Sequence, residues 1–463
     1  MKRDFERMAI GAFLYPTGYH VAAWRHPGVE PDAGILPDHY IEITRLAEQG
    51  KFDLIFLPDS AGVRGTDMDA LSRTAIRYVS QLEPLTLLAV LATATERIGL
   101  TASVSTTYNE PYTVARFIAS LDHLSKGRAG WNLVTSQNPQ EALNFNFDKQ
   151  PDHDDRYARA TEFAEVVRGL WDSWDDDAFV YDKADGLFFR PDGVAPIHHR
   201  GERFSVRGPL NMPRSPQGQP VIIQAGSSQT GKELAARTAD VVFSAQPNVT
   251  AAAAFYQDVK SRMAAYGRAT DTLHILPGVF PYVGRTRAEA QAKFDELQEL
   301  IHPAVGLSLL VSELGGFDLS GFDYDGPVPD LPKSNAGQAR QRLLIDMAHR
   351  EGLTIRQLAQ RVAGSRGHFQ PIGSAEEVAD ELEQWFVQGA ADGFMVMAPA
   401  LPQGLRDFVE LVVPELQRRG LFRDDYTGTT LREHLGYGRP APRRPAAAPP
   451  VTPDVLTPAE QGR

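Results

Sequence analysis

Short apolar runs alternate with longer stretches of helical periodicity along most of the chain. Residues 8–14, 53–58, 98–104, 129–134, 221–224, 241–244, 273–282 and 394–397 each read as a strand, and helical patterns lie between most of them. Glu83-Pro84 opens one helix, because a proline suits the first helical turn, where its missing N–H costs nothing. Leu85, Leu88, Ala89 and Ala92 then fall on one face. Ser374 and Glu377 spell a capping box, and Val378, Leu382, Trp385 and Phe386 follow at helical spacing. Eight alternations predict an α/β chain closed into a TIM-type (β/α)8 barrel; an open doubly wound sheet is the competitor that strand number alone does not exclude.

Two intervals break the rhythm. Residues 175–218 are rich in Asp, Gly, Pro and aromatics, and residues 303–370 combine a Gly/Pro/Asp loop with a helical stretch over 338–362. Both read as insertions over a barrel face, of the kind that serve as lids or substrate loops. The expected organisation is one barrel domain over 1–437, then a Pro/Ala-rich tail over 438–463 whose composition predicts disorder.

Composition narrows the function classes. A chain of 463 residues with 42% apolar content can bury a large core, and no run approaches the roughly 18 apolar residues of a membrane helix. The opening MKRDFERMAI lacks the apolar segment of a secretory signal, so a cytoplasmic location is expected. With no cysteine, disulfides, thiolate metal sites, iron–sulfur clusters and cysteine nucleophiles are excluded. The net charge of -12 and the lack of a basic stripe argue against nucleic-acid partners; Gln417-Arg418-Arg419 reads as a solvated helix end.

Candidate chemistry gathers where strands end. Gly226-Ser-Ser-Gln-Thr-Gly231-Lys232-Glu233 nearly spells a P-loop, but Glu233 stands where a hydroxyl should bind Mg²⁺, and a carboxylate there is expected to face and repel phosphates. What survives is a Gly/Ser turn at a helix start, suited to one phosphate monoester; an ordinary serine-capped glycine turn remains the alternative. Leu57-Pro58-Asp59-Ser60, the hydroxyl- and amide-rich stretch from Ser103 to Tyr112, and Gly130-Trp-Asn132-Leu-Val-Thr135-Ser136 end three successive strands, so a polar pocket at one barrel face is expected. Asp59 is placed to accept from a ring N–H, or merely to cap a turn. His153 and Tyr157 lie four apart on one helical face, where they could meet an anion or a ring edge, or only solvent. His20 is the candidate acid/base group, with a loop histidine as its alternative. His198-His199 has no ligand spacing around it, so no metal is expected, and no dinucleotide-binding glycine pattern follows a strand.

Taken together these residues resemble one family, the nitrilotriacetate monooxygenase component A branch of the bacterial-luciferase-like flavin monooxygenases. The resemblance runs through Gly18-Tyr-His-Val-Ala-Ala-Trp-Arg-His-Pro27, Leu82-Glu-Pro-Leu-Thr-Leu-Leu88, Thr95-Glu-Arg-Ile-Gly-Leu100 and Thr107-Tyr-Asn-Glu-Pro-Tyr112. It continues through 119–136, Ala225-Gly-Ser-Ser228, Ala391-Asp-Gly-Phe394 and 414–423, and spans roughly residues 8–437. It implies a TIM-type barrel with an FMN site at the C-terminal face. By matched position, the residues implied to line or contact that site are Asp59, Ser103, Asn132, Thr135, Ser136, His153 and Tyr157, with Ser227 and Ser228 at the phosphate end. Ser103 replaces the family's usual threonine and keeps its hydroxyl. Gly18-Tyr19-His20 stands where the family often has Gly-His-His, and Asn144-Phe145-Asn146 where it often has Asn-Phe-Gly; these departures bear on the substrate rather than on flavin.

The activity so implied is FMNH2-dependent monooxygenation within a two-component system, in which O2 is activated as a C4a-hydroperoxyflavin to oxygenate a small organic substrate. His20 would steady the peroxide or shuttle a proton, the 303–370 insertion would be the lid, and a separate NAD(P)H:flavin reductase would supply FMNH2. A homodimer or homotetramer is the family-level expectation, with no nucleic acid and no membrane as partners. An F420-dependent oxidoreductase and a non-catalytic flavin-binding protein are the alternatives.

Overall fold

In the computed structural model, which describes residues 5–314, 317–329, 338–365 and 367–442, eight strands close into a parallel barrel. They are β1 (Ala9–Phe13), β2 (Leu54–Leu57), β3 (Gly99–Ser105), β4 (Ala129–Val134), β5 (Val221–Gln224), β6 (Val241–Ser244), β7 (His274–Val279) and β8 (Gly393–Val396). Neighbours in the barrel are neighbours in sequence, and β8 closes the ring on β1 through the register Ala9↔Gly393 to Ala12↔Val396. The open-sheet alternative is therefore excluded.

The strands read as unbroken apolar runs because both of their faces are buried. On β1 and β2, Ile10, Ala12, Ile55 and Leu57 join the core between barrel and helices, while Ala9, Phe13, Leu54 and Phe56 point into the barrel interior. Crossover helices start where the sequence permits: Pro37, Pro84, Pro111 and Pro139 each open a helix. The capping box at Ser374 and Glu377 is formed, and Val378, Leu382, Trp385 and Phe386 are buried behind it. The helix Pro84–Ala94 buries Leu87, Leu88, Leu91 and Ala92, so its core face is turned from the expected one and leaves Leu85 and Ala89 half-buried.

The run expected over 273–282 divides. Its first part is β7, but Pro281 offers no N–H, and the chain leaves the barrel so that Tyr282–Gly284 pairs in parallel with Ile372–Ser374. The 175–218 interval forms two antiparallel hairpins, Phe179–Asp182 with Leu187–Phe189 and His199–Arg200 with Ser205–Val206. The 303–370 interval carries the helices Pro303–Glu313, Gln338–Glu351 and Ile355–Ser365, packed on a core of their own around Leu310, Leu319, Leu344 and Leu358. The stretch expected over 338–362 is thus two helices.

The N-terminal mouth of the barrel is plugged by the short helix Leu431–His434 and by Tyr437, whose hydroxyl donates to the Asp240 carbonyl at 2.7 Å and contacts His274 Nδ1 at 2.6 Å. Beyond it, Arg439 pairs with Asp176, and the Pro440 carbonyl accepts from Arg214, which is itself buried against Asp172 at 3.0 Å. Most of the expected disordered tail, residues 443–463, lies outside the described residues. No described helix is long and apolar enough to cross a membrane.

Candidate functional site

At the opposite, C-terminal mouth the strand ends enclose a cavity of about 260 Å³. Its floor is aromatic: Phe13 stacks on Phe56 at 5.0 Å and on Phe243 at 5.3 Å. Its walls are polar. Asp59 and Ser60 follow β2, Ser103 lies near the end of β3, Asn132, Thr135 and Ser136 come from β4 and the residues after it, and Gln224 ends β5. Three strand ends expected to share one pocket do share it.

The wall is organised by hydrogen bonds that leave selected atoms open. Asn132 Nδ2 donates to Ser103 Oγ at 2.8 Å, while Asn132 Oδ1 is buried without a partner. Gln224 Oε1 and Glu141 Oε2 are likewise buried and unpartnered. Buried acceptors left open cost free energy unless something donates to them, so orphans lining a cavity point to a polar guest. Ser136, in the left-handed region at φ 55°, turns its hydroxyl to Ser105 Oγ at 2.9 Å, and Thr107 Oγ1 donates to the Thr135 carbonyl at 2.8 Å. These contacts stitch the ends of β3 and β4 into one edge.

Burial pushes the Asp59 carboxyl up to about 6; the charges of Glu83 and Glu141 add to that, against hydrogen bonds from the Ser60 N–H and Gln81. Asp59 therefore changes charge within the working pH range rather than far below it.

Next to Gln224 the chain makes the Gly226 turn and enters the helix Gln229–Thr238. Ser228 caps it, its Oγ accepting from the Gly231 N–H at 3.0 Å. No acid stands in its first turn. Glu233, expected to face a phosphate, is turned the other way: its carboxylate accepts from Arg262 at 2.8 Å and from Tyr266. Lys232 is committed to Asp258 at 2.7 Å. The P-loop likeness thus dissolves into helix-surface ion pairs, and the helix start keeps a first turn without an acid, where the dipole favours negative charge. Ser227 is exposed and Ser228 half-buried; neither lines the cavity itself, but both adjoin its edge at Ala225. Tyr157 bridges the two regions, since it lines the cavity and its hydroxyl lies 3.1 Å from where a β-carbon on Gly231 would stand.

His153 sits outside the cavity, exposed, its ring 4.6 Å from that of Tyr157 and its Nδ1 3.0 Å from Asp154 Oδ1. His20 is also outside. Its ring is fully buried, the Ala22 N–H donates to its Nδ1 at 3.2 Å, and its Nε2 lies 3.4 Å from Gln298 Nε2. Burial lowers its pKa to about 3, so the ring is neutral near pH 7. His199 is tied to Glu162 at 2.9 Å. The structure thus brings together Asp59, Ser103, Asn132, Thr135, Ser136 and Tyr157, sets Ser227, Ser228 and His153 at the margin, and places His20 behind the wall.

Sequence reading missed Arg64, Tyr78, Glu141, Gln224 and Phe243 as lining residues. Only Gln224 carried a signal, as the polar end of an apolar run. The cavity also opens into a lobe of about 300 Å³ where Tyr108 stacks on Phe145 at 4.8 Å, which brings the departure at Asn144-Phe145-Asn146 beside Asp59 and Glu141.

Against known families, the model described as luciferase-like monooxygenase matches residues 13–393. The chain is similar to nitrilotriacetate monooxygenase component A of Aminobacter aminovorans, 51% identical over 441 residues that cover 94% of this chain and 97% of the relative. It is equally similar to N-acetyl-S-(2-succino)cysteine monooxygenase of Bacillus subtilis (strain 168), 50% identical over 440 residues covering 95% and 98%. Among solved structures, a riboflavin lyase with modified FMN and substrate riboflavin matches with a TM-score of 0.80 at 30% identity, over 95% of this chain and 98% of that one.

Proposed function

We propose, from the premise that this chain belongs to the luciferase-like monooxygenase family, that it is the oxygenating part of a two-component system working on reduced FMN. The family and its close relatives make the chain a flavin-dependent monooxygenase. The finer reading rests on one observation: a cavity lined by orphaned acceptors adjoins an acid-free, serine-capped helix start. A flavin mononucleotide has that same layout, a polar-edged ring joined to a phosphate, so the residues present fit the group.

When bound, reduced flavin supplies the two electrons that activate O2. The protein's own part is to bind, orient and shield. Ser227, Ser228 and the free N–H groups of the helix start would hold the phosphate, with Tyr157 and the His153 ring tilted against it closing that end. Asn132 Oδ1, fixed by the Ser103 hydroxyl, and Gln224 Oε1 accept from the group's N–H and O–H donors. Thr135 and Ser136 form the wall beside them. Asp59 accepts a ring N–H when ionised and exchanges a proton near neutrality when the reaction demands one. Phe13, Phe56 and Phe243 keep water from the floor. His20 is a positioning residue: neutral and buried, it holds the segment after β1, where Tyr19 packs edge-on to Phe13 at 5.9 Å. Within the 303–370 insertion, the helix Pro303–Glu313, which lines the cleft next to the cavity, is the part that would serve as the lid. A separate NAD(P)H:flavin reductase supplies the reduced flavin, in keeping with the name component A carried by one relative.

The test is to bind reduced FMN anaerobically, admit O2 and follow absorbance. A transient that outlives the reoxidation of free reduced FMN is expected; reoxidation at the free rate would overturn the reading.

A second expectation concerns pH. Because burial raises Asp59 to about 6, affinity for riboflavin should rise as pH climbs through 6 and the carboxylate ionises. Riboflavin is the right ligand, since it lacks a phosphate that titrates in the same range. Asp59→Asn should remove the step and weaken binding roughly tenfold at pH 7.5, the loss of one charge-assisted hydrogen bond. Fluorescence titration from pH 5 to 8 reads both, and a flat wild-type profile would take Asp59 out of ring contact.

A further inference from the structure

Glu141 stands between the central cavity and the lobe beside it, and lines both. It is 3% exposed, yet its Oε2 has no hydrogen-bond partner. The other oxygen is held. Glu141 Oε1 accepts from Ser60 Oγ, which itself accepts from Asn138 Nδ2 at 3.1 Å. Asn138 also caps the helix Pro139–Leu143 that carries Glu141, accepting the Gln140 N–H at 3.2 Å. The carboxylate is therefore fixed at one oxygen and open at the other. A buried carboxylate oxygen with nothing donating to it costs more than a neutral orphan, so a donor brought by a guest stabilises it most.

The same hydrogen bond ties Glu141 to Asp59. Ser60 is the next residue after Asp59, and the two carboxyls line the same two spaces. Two carboxylates in one confined site do not ionise independently, because each charge raises the cost of the other. The remaining neighbours act more weakly. Glu83, at the start of the helix Pro84–Ala94, also raises Asp59, but it is exposed and committed to the Leu85 and Thr86 N–H groups at 2.9 and 2.7 Å. Arg64, the basic residue lining the central cavity, is exposed as well. Water and salt screen those two charges, whereas Glu141 is buried beyond their reach. Tyr78 and Tyr157 face the central cavity and Tyr108 the lobe, each with a phenol, and Gln81 Nε2 lies 3.4 Å from Asp59 Oδ1.

We infer that Glu141 and Asp59 act as a pair on the bound flavin, Glu141 taking a hydrogen bond through its open oxygen while Asp59 is the member that exchanges the proton. This rests on the flavin reading and adds the residue that divides the work between the two carboxyls. Glu141 is thus both a contact and the fixed charge that sets the pH at which Asp59 lets its proton go.

Fluorescence titration with riboflavin from pH 5 to 8 tests it on wild type, Glu141→Gln and Glu141→Asp. With the charge at 141 removed, Asp59 ionises more readily, so the midpoint of the affinity rise in Glu141→Gln should fall by about 0.5–1 pH unit. The shift should persist at about 0.5 M salt, because a buried charge escapes screening. Affinity at pH 7.5 should drop about tenfold, and that deficit should shrink toward pH 5.5. Glu141→Asp keeps the charge but is one methylene shorter, so it should keep the wild-type midpoint and still bind more weakly; it carries the test where the glutamine variant does not fold. A uniform loss at every pH with an unmoved midpoint would mark Glu141 as merely structural and overturn the inference. Wild-type affinity in either variant, or a flat wild-type profile, would overturn it too. A wild-type protein that binds no riboflavin would strike the flavin reading itself, and this is seen before any variant is compared.

Discussion

Gly226→Val is expected to weaken FMN binding by roughly 10²–10⁴-fold while the barrel stays folded. Even a first β-carbon at Gly226 would stand 2.9 Å from the Gly231 Cα and 2.7 Å from Gln224 Nε2. The side-chain nitrogen can swing aside, but the Gly231 backbone belongs to the helix whose start is proposed to hold the phosphate. Valine adds two methyl groups, so the turn must open and the first-turn N–H groups lose their common aim. Two charge-assisted hydrogen bonds lost at about 1.5–3 kcal/mol each give the stated range. The fold should survive because Ala225 and Ser227, on either side, are exposed. Flavin fluorescence titration beside circular dichroism separates the two effects, and near-wild-type affinity would mean that the phosphate is held elsewhere.

Gly393→Ala should have the largest effect on stability, about 4 kcal/mol or more, a loss comparable with the whole stability of many domains. Gly393 opens β8 at φ 154°, opposite Ala9 of β1. A β-carbon there would collide with the Ala9 carbonyl oxygen and lie 2.5 Å from the Ala9 nitrogen. All of these are backbone atoms on the seam where the last strand meets the first, and separating them opens the barrel. Denaturant unfolding, or recovery of folded protein where the variant does not survive expression, measures the cost. A change under about 1 kcal/mol would show that the seam yields more easily than close packing allows.

The barrel was legible in the sequence because all eight strands are buried on both faces, so each is a short apolar run, and prolines announce the helix starts after the first four. The run over 273–282 misled for a physical reason. Apolar character continues past β7, yet Phe280 donates its N–H to Phe369 rather than to a barrel neighbour, and Pro281 has none to donate. Half of the site was legible too. Ser103, Asn132 and Asp59 sit at strand ends, and in a parallel barrel every strand ends at the same mouth. Arg64, Tyr78 and Glu141 come from connecting segments whose path is set by contacts such as Asn138 to Gly62, and no local pattern carries that information. His20 shows the converse limit: the sequence places it after β1, but only packing against Gln298 turns its ring behind the wall instead of into the cavity.

The plug of Leu431–His434 and Tyr437 at the N-terminal mouth has a practical consequence for immobilising the enzyme. Arg439 and Pro440 lead the chain from that plug onto the flank around Asp176 and Arg214, away from the cavity. A resin or electrode tether attached at residue 442 would pull on that flank and the closed end of the barrel, leaving the open mouth toward the flowing solution.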